Sequence, residues 1–125
     1  MKNTINSFYF RNWFLNSQYH NNFSVCSRKA RVCIDELNIK AQLKHVHIME
    51  TKDCENLTKE FLKINPNGTV PALVYKGMPV LESHEIIEFI DEHLRVNDGD
   101  TPRLRPLDVK SRELCDYWCK RGSLG

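Results

Sequence analysis

The spacing of apolar residues along the chain predicts alternating strands and helices. In "CSRKARVCIDEL", the residues Ala30, Cys33, Ile34 and Leu37 recur three and four positions apart, with charged residues between them. This spacing is typical of an amphipathic helix, and Asn38 directly after it is the expected C-cap.

Four segments have the composition of strands. The stretch "WFLN", Trp13 to Asn16, is rich in β-compatible residues and is followed by the turn-like string "SQYHNN", so we predict a first strand and its loop. In "LKHVHIM", Val46 and Ile48 alternate with two histidines, as in a half-buried strand. The segments "VPALVY" and "MPVL" flank a Lys-Gly pair and predict a hairpin.

Three further segments predict helices. The segment "TKDCENLTKEFLKI" has apolar residues at roughly helical spacing and ends at the turn signal "NPNG". The segment "ESHEIIEFIDEHL" shows the clearest helical stripe, with Ser83 as the expected N-cap and acidic residues in its early turns. The segment "LDVKSRELCDYWCKR" predicts a last helix up to Arg121, capped by Asp108 or Ser111. One face of this last helix is expected to carry Leu114, Cys115 and Trp118.

The predicted order of elements, β-α-β-α-β-β-α, defines an α/β fold. Such an order builds a small mixed sheet in which the first βαβ unit is right-handed and parallel and the final hairpin is antiparallel, with helices covering the sheet. This arrangement is thioredoxin-like. With 125 residues, of which 41% are hydrophobic and 27% charged, the chain has the composition of one soluble globular domain, with little room for a second.

The same pattern divides the chain into four regions. We expect a disordered lead-in over residues 1–12 and the thioredoxin-like domain over residues 13–94. A polar linker follows over residues 95–106, and residues 107–125 are expected to begin a further helical domain that stops after one helix.

Charge and cysteine content narrow the range of functions. Eighteen basic and sixteen acidic residues give a net charge of +2 without a basic block, so the sequence indicates neither a nucleic-acid nor a membrane partner. Because the sequence has no run of about 18 apolar residues and its first residues lack the apolar region of a signal peptide, we expect a cytoplasmic location. The odd number of cysteines, five, favours reduced thiols. Cys115 and Cys119 lack the partners of a zinc site, so no metal is predicted.

Ser24 and Cys26 lie between the first predicted strand and the N-terminus of the first predicted helix. Unpaired backbone N–H groups and the helix dipole stabilise a thiolate at such a place, and Arg28 and Lys29 add positive charge. The thiolate is either that of Cys26 or that of a bound thiol held by the hydroxyl of Ser24. The alternative interpretation is that Ser24 or Ser27 only caps the helix and that Cys26 is a small buried residue. A redox dithiol is disfavoured because no cysteine follows at Cys-x-x-Cys spacing.

Two later features add to this site. Pro71 enters a predicted strand just after a turn, so it either protects a strand edge or follows a cis bond from Val70. A cis bond would leave the backbone groups of Val70 free to pair with an extended peptide ligand. Glu82 and Ser83 open the clearest helix, where a cap can also bind a carboxylate. The three features together indicate one ligand, a peptide with a thiol and a carboxylate.

Residues 13–94 resemble the N-terminal, glutathione-binding domain of cytosolic glutathione S-transferases. The segments "SVCSRKARVCIDELNI", "INPNGTVPALV" and "LESHEIIEFIDEHL" are similar in order and spacing to the family's first-helix, proline-turn and glutamate-serine motifs. The Ser-x-Cys-Ser pattern is most similar to the zeta class, the maleylacetoacetate isomerases, and to the related reductive dehalogenases of chlorinated hydroquinones. The resemblance implies that Ser24 activates the thiol of glutathione, with Cys26 as a neighbour or as an alternative nucleophile through a mixed disulfide. It also implies that Val70, followed by Pro71, pairs with the cysteinyl backbone of glutathione.

The resemblance extends to the other end of glutathione and to the reaction. It implies that Glu82 and Ser83 hold the γ-glutamyl end and that Lys52 meets the glycyl carboxylate. The implied function is conjugation, isomerisation or reductive dehalogenation of a small electrophile with glutathione as co-substrate, and a homodimer is one assembly that the resemblance allows. The second, all-helical domain of the family is expected to be truncated here. The alternative function is a non-catalytic module that binds glutathione or another protein.

Overall fold

Four strands form one mixed sheet in the computed structural model of the protein, which describes residues 16–48, 54–96 and 98–124. The strands are β1 (Asn16–His20), β2 (Gln42–His45), β3 (Ala72–Tyr75) and β4 (Met78–Val80), and their order in the sheet is β2-β1-β3-β4. β1 pairs in parallel with β2 and antiparallel with β3, and β4 is antiparallel to β3. β1 is therefore a central strand with a partner on each side.

Helices cover both faces of this sheet. They are α1 (Val25–Glu36), α2 (Lys59–Leu62) with a preceding 3₁₀ turn (Glu55–Leu57), and α3 (Ser83–Phe89) with a following π-helical turn (Ile90–Leu94). A fourth helix, α4 (Val109–Leu124), follows them along the chain. This order confirms the predicted thioredoxin-like arrangement. Within the three described ranges, no helix has both the length and the apolar character that a membrane crossing requires.

The main core lies between the sheet and helices α1 and α3. Its buried residues are Ala30, Ile34, Leu37, Leu73, Ile86 and Ile90, and each large aliphatic side chain among them contributes roughly 1.5–3 kcal/mol by leaving water. A smaller cluster on the opposite face joins Val46, Phe61 and Ala72. There the ring of Tyr19 meets that of Phe61 edge to face, with 5.7 Å between the ring centroids. The apolar stripes predicted for the first helix and for the segment "ESHEIIEFIDEHL" are thus confirmed as core positions.

The first strand of the sheet includes residues that the sequence predicts as a loop. β1 covers Asn16–His20, so four residues of the string predicted as a loop form the central strand, and Trp13 to Leu15 lie outside the described residues. The prediction was wrong because Ser17, Gln18 and His20 are polar and nevertheless buried. A central strand that is covered on both faces does not show the alternation of a half-buried strand.

The segment predicted as the second helix is divided at Thr58. Its 3₁₀ turn ends at Leu57, and Thr58 has an extended backbone with φ −70° and ψ 152°. The hydroxyl oxygen of Thr58 then accepts the backbone N–H of Phe61 at 3.3 Å. Thr58 is therefore the N-cap of a new, one-turn helix instead of an interior residue of a longer one.

Two predicted caps are shifted by one residue, and a third is confirmed. α3 begins at Ser83 itself, which leaves Glu82 in the N-cap position. α1 ends with Leu37 as its C-cap, and Asn38 follows in the left-handed region with φ 52°, a conformation that Asn adopts more readily than most residues. Asp108 caps α4 as predicted, since its carboxylate accepts the backbone N–H of Ser111 at 2.8 Å.

The predicted hairpin is confirmed. Its two central residues, Lys76 and Gly77, have φ of 49° and 81°. Two consecutive positive φ values are the signature of a type I′ turn, whose twist matches that of the paired strands β3 and β4.

Polar contacts attach α4 to the rest of the protein. The two carboxylate oxygens of Asp91 accept the backbone N–H groups of Leu104 and Arg105 at 2.9 and 3.2 Å. The guanidinium of Arg105, which is only 7% exposed, donates to both carboxylate oxygens of Asp116 at 2.8 and 2.6 Å and to Glu92 at 3.2 Å. These contacts fix one side of α4 against the end of α3.

The face predicted for α4 is only partly buried. Cys115 is half-buried, whereas the side chains of Leu114 and Trp118 are exposed. The three residues therefore do not share one buried face. The side of α4 that faces the rest of the protein is the side that carries Asp116, which contacts Arg105.

Gln18 places an amide in the main core without a hydrogen-bond partner. It is fully buried, and it is the cross-strand partner of Leu73. Among the described residues, neither its side-chain oxygen nor its side-chain nitrogen has a hydrogen-bond partner. Cross-strand partners share one face of a sheet, so this amide lies beside the aliphatic side chains of the main core. An unpaired buried polar group costs roughly 1–3 kcal/mol.

We therefore expect Gln18→Leu to raise the free energy of unfolding by about 1 kcal/mol or more, because a side chain of similar volume replaces the unpaired amide. Urea denaturation followed by circular dichroism measures the change. The matched control is Gln42→Leu, at an exposed position of β2, where we expect little effect. A loss of stability in Gln18→Leu would show that the amide is satisfied in solution.

His20 makes the stability of the fold depend on pH. Burial lowers its pKa below the usual 6.5, and the nearby charges of Arg31 and His45 lower it further. Below pH 6.5 the unfolded chain therefore binds a proton at this imidazole more readily than the native protein does. The stabilisation is complete above that pH and is lost as the pH falls toward the lower native value.

We expect His20→Gln to lose less stability than the wild type when the pH is lowered from about 7.5 to about 5.5, a range that brackets the ordinary histidine pKa. Urea unfolding at the two pH values gives the comparison. His93→Gln, at an exposed position, serves as the control and should keep the wild-type dependence. Equal dependence in the wild type and His20→Gln would contradict the assignment.

Candidate functional site

One end of the sheet brings together three of the predicted features. β1 runs toward this end and is followed by Ser24; β3 starts there, directly after Pro71. The pairing of Tyr19 with Ala72 and of Leu73 with Val80 places the end of β4 at the same end, and Glu82 follows two residues later. The parallel pairing of His20 with His45 brings the end of β2 there as well.

Lys52 lies outside the described residues. It follows β2 along the chain, but its position relative to the site stays a prediction. The sheet therefore brings the predicted serine, proline and glutamate-serine segments together at the same end of its strands. The fourth predicted contact, Lys52, is not among the described residues.

Ser24 is the N-cap of α1, half-buried at the start of the helix. Its backbone is extended, and its hydroxyl oxygen accepts the backbone N–H of Ser27 at 3.1 Å. A serine hydroxyl has one hydrogen to donate and two lone pairs that accept. Because the bond to Ser27 uses only a lone pair, the hydroxyl hydrogen of Ser24 remains available to an acceptor in front of the helix. Capping the helix and donating to a ligand are compatible.

Asn21 shapes the loop that carries Ser24, although the sequence did not single it out. It is buried, and its side-chain nitrogen donates to the carbonyl oxygen of Val46 at 2.8 Å. Its side-chain oxygen accepts the N–H of Phe23 at 2.8 Å, and its backbone oxygen accepts that of Ser24 at 3.1 Å. Asn21 also donates its own N–H to the hydroxyl of Ser27 at 3.3 Å. The loop between β1 and α1 is thus fixed to the end of β2.

Cys26 lies in the first turn of α1 and is half-buried. All five cysteines of the chain are reduced in the structure. Arg28 is exposed and Lys29 half-buried on the same helix, so positive side chains do lie near the helix N-terminus as the sequence indicates. Cys26 is therefore the protein thiol nearest in sequence to Ser24, two residues further along the chain.

The peptide bond between Val70 and Pro71 is cis. Pro71 is buried and Val70 half-buried, and the ladder of β3 with β1 begins only at Ala72. Val70 therefore precedes the paired part of the strand. The two alternatives for Pro71, a strand-edge residue or a residue after a cis bond, are decided in favour of the second.

A second asparagine, Asn65, supports the loop before Val70. It is fully buried, its side-chain nitrogen donates to the backbone oxygen of Thr69 at 2.8 Å, and its side-chain oxygen accepts the N–H of Asn67 at 3.0 Å. Gly68 in this loop has φ +64°, and an added Cβ would lie 3.2 Å from the backbone oxygen of Asn56. The turn before Val70 is therefore fixed by the hydrogen bonds of Asn65 and by the close approach of Gly68 to the backbone of Asn56.

Glu82 and Ser83 occupy different environments at the start of α3. Glu82 is exposed and Ser83 is buried. The backbone oxygen of Glu82 accepts the N–H of Ile86 at 2.9 Å, which forms the first helical bond. The carboxylate of Glu82 thus faces solvent at the edge of the sheet where Ser24 and Val70 lie.

Asn21 and Asn65 are the residues that sequence reasoning missed. Both are buried, and in each the side-chain nitrogen and oxygen form hydrogen bonds with backbone groups. The signal available in the sequence is an asparagine inside a polar loop that is flanked by strands or helices. Burial, which distinguishes these two from exposed Asn22 and Asn67, is visible only in the fold. Among the described residues, no group of three His, Cys, Asp or Glu side chains is arranged to hold a metal ion.

The comparisons of this chain with known proteins all indicate the same family. Residues 23–93 match the family described as glutathione S-transferase, N-terminal domain. Glutathione S-transferase U27 of Arabidopsis thaliana is 32% identical over 96 residues, which are 76% of this chain and 39% of that protein. Maleylacetoacetate isomerase of Mus musculus is 28% identical over 91 residues, 73% of this chain and 39% of that protein. The chain thus spans less than half the length of these relatives.

Solved structures agree with the observed fold. An epsilon-class glutathione S-transferase from the housefly, Musca domestica, superposes with a TM-score of 0.71 at 27% identity, over 82% of this chain and 44% of that one. Human glutathione transferase theta-2, in a complex with glutathione, superposes with a TM-score of 0.74 at 20% identity, over 86% of this chain and 42% of that one. Since the family match covers more than half of its 125 residues, the chain belongs to the glutathione S-transferase family through its N-terminal domain.

Proposed function

We propose that this chain binds glutathione at the sheet edge formed by Ser24, Val70, Glu82 and Ser83, and that it favours the thiolate form of the bound thiol. The observation that carries the proposal is the hydrogen bonding of Ser24. Its hydroxyl accepts from the helix backbone and has its own hydrogen left to donate. A donor at a helix N-terminus stabilises an anion through both the hydrogen bond and the helix dipole.

The remaining contacts follow the shape of an extended tripeptide. Val70, ahead of the paired part of β3, offers backbone groups to the cysteinyl residue of glutathione. The exposed carboxylate of Glu82 suits the γ-glutamyl amino group, and the start of α3 suits its carboxylate. Lys52 is the proposed partner of the glycyl carboxylate. Family membership supports this assignment of ends, since the family match includes all of these positions.

The reaction that we propose is attack of the thiolate on a small electrophile, by conjugation, isomerisation or reductive dehalogenation. Similarity to a maleylacetoacetate isomerase supports isomerisation as one member of this set. We also propose that the catalytic form of the protein is a homodimer and that it is located in the cytoplasm. The second candidate is a non-catalytic module, and the observation that favours it is the exposed pair Leu114 and Trp118 on α4, which offers apolar surface to another protein.

Retention on immobilised glutathione, with elution by free glutathione, tests binding directly. We expect the folded wild-type chain to be retained and the double variant Glu82→Ala, Val70→Pro to be released, because it lacks both the carboxylate and the backbone N–H. The matched control is Glu85→Ala, at an exposed position in the first turn of α3. If the folded wild-type chain passes through the column, the proposal is wrong.

Three variants separate the helix cap from thiol activation. Ser24→Asp keeps an N-cap acceptor but is acceptor-only when ionised, so we expect normal stability with loss of the bound thiolate. Ser24→Ala loses the N-cap acceptor, which contributes roughly 1 kcal/mol to stability, and it also loses the hydroxyl that donates to the thiolate. In these two variants we expect the thiolate fraction of bound glutathione to fall by about 10- to 100-fold, the factor that matches a hydrogen bond to a charged group. Cys26→Ala should leave it nearly unchanged.

The measurement is the difference ultraviolet absorbance of the thiolate as a function of pH, with and without glutathione. Binding of S-methylglutathione, which has no thiol, should persist in all three variants and shows that the binding surface is intact. Loss of the signal in Cys26→Ala with retention in Ser24→Ala would assign the thiolate to Cys26 instead of to glutathione.

Asn21 is expected to position Ser24 through the loop between β1 and α1. Asn21→Ala leaves the buried carbonyl of Val46 without its partner, and we expect a loss of roughly 1–3 kcal/mol in the free energy of unfolding together with weaker thiolate stabilisation. Urea unfolding and the pH titration of bound glutathione measure the two effects. Asn22→Ala, at the exposed neighbouring position, should change neither, and a wild-type titration in Asn21→Ala would refute the positioning role.

A further inference from the structure

Three of the five cysteines line one cavity that is separate from the proposed glutathione site. The cavity has a volume of about 580 Å³ and lies between α1, α3, α4 and residues 104–105. Cys33 reaches it from α1, and Cys115 and Cys119 reach it from α4. Lys29 and Lys120 also line it, whereas Ser24, Val70 and Glu82 do not.

The three thiols of this cavity act on one another. The thiol of Cys115 is hydrogen-bonded to that of Cys119, and a charge on Cys119 would act on Cys33. Cys119 is exposed, whereas Cys33 and Cys115 are half-buried. Burial raises the pKa of the Cys33 thiol, and burial together with Cys119 raises the pKa of the Cys115 thiol. Cys119 is therefore the thiol that a reagent in solvent reaches first.

Helix geometry decides which pair can form a disulfide. Side chains four residues apart on a helix have their Cβ atoms about 5–6 Å apart, whereas a disulfide needs about 3.5–4.5 Å. A bond between Cys115 and Cys119 would therefore distort the middle of α4. Cys33 lies on a different helix but lines the same cavity as Cys119. A bond between these two cysteines requires a movement of α4 against α1, and it requires no distortion within either helix.

We propose that Cys33 and Cys119 form a thiol–disulfide exchange site that takes a low-molecular-weight disulfide and closes into a bond between α1 and α4. The thiolate of Cys119 attacks one sulfur of the small disulfide, forms a mixed disulfide and releases the first small thiolate. The thiolate of Cys33 then attacks the sulfur of Cys119, forms the protein disulfide and releases the second small thiolate. Two protein thiols are oxidised and one small disulfide is reduced, and the two protons lost by the cysteines are taken up by the leaving thiolates or by solvent.

Positive charge at the cavity favours a disulfide that carries carboxylates. Three positive side chains, those of Lys29, Arg105 and Lys120, line the same cavity as the thiols. Two carboxylates, Glu88 and Asp116, also line it, which leaves an excess of one positive charge. The charge of Lys29 opposes the effect of burial on the pKa of Cys33. A cation next to a thiol favours its thiolate, which is the attacking form in exchange. The bond would join α1, which Ser24 caps, to α4, which Arg105 contacts through Asp116.

The test uses the full chain with two probes, oxidised glutathione and the uncharged hydroxyethyl disulfide. We expect mass spectrometry to show first a mixed disulfide and then a protein that has lost two hydrogens, with two fewer titratable thiols. Peptide mapping should place the bond between Cys33 and Cys119. Oxidised glutathione should react several-fold faster than hydroxyethyl disulfide, and the oxidised protein should unfold at higher urea concentration, because a cross-link between distant residues restricts the unfolded chain.

Variants of single cysteines make the proposal falsifiable. Cys33→Ser should stop at the mixed disulfide on Cys119, and Cys119→Ser should not form the bond. Cys115→Ser and Cys54→Ser, the latter at an exposed cysteine outside the cavity, should close the disulfide as the wild type does. A bond mapped between Cys115 and Cys119, a mixed disulfide that persists on Cys119 in the wild type, or no reaction of Cys119 would overturn the proposal. Circular dichroism of the reduced variants identifies any that fail to fold, and the wild-type peptide map decides independently of them.

Discussion

The hydrogen bond from the side chain of Asn21 to the carbonyl oxygen of Val46 is the contact on which the site depends. It joins the end of the central strand β1 to the residue that follows β2. The side-chain oxygen and the backbone oxygen of Asn21 accept the N–H groups of Phe23 and Ser24, which fixes the path of the chain up to Ser24. Because a buried amide that loses its partners costs free energy, the loop has one favourable path, and the orientation of α1 follows from it.

A similar arrangement is found at the turn before β3. Asn65 is buried and bonds to residues on either side of Gly68. Each of these two loops is therefore held by an internal amide, in addition to the apolar packing of Val70 against the smaller core cluster. Polar side chains serve well here because a loop has backbone groups that need partners, and apolar side chains cannot supply them. The edge can consequently be open to solvent and still have a fixed shape.

The sequence predicts the parts of this fold that depend on a regular period. The stripe of α1, the stripe that runs through α3, and the I′ hairpin at Lys76 and Gly77 are found where the pattern places them. The failures lie where burial and polarity diverge. β1 is polar and buried, so its position was missed. Thr58 interrupts a helix because its own hydroxyl competes for the backbone.

The same division applies to the candidate site. Ser24, Val70, Glu82 and Ser83 were predicted from motif and resemblance, and the sheet register brings their segments to one edge. Asn21 and Asn65 could not be predicted, because nothing in a single sequence separates a buried asparagine from an exposed one. Arg105 was placed in a polar linker for the same reason, although it is buried and anchors α4.

The direction of hydrogen bonding at Ser24 has a consequence for the proposed thiol chemistry. Since the helix backbone already donates to this hydroxyl, the serine meets its ligand as a donor. A thiolate is a strong acceptor, whereas the sulfur of a thioether is a weak one. A serine oriented in this way would hold a glutathione-like thiolate more firmly than the thioether formed from it. The cap of α1 would then contribute to product release as well as to substrate binding.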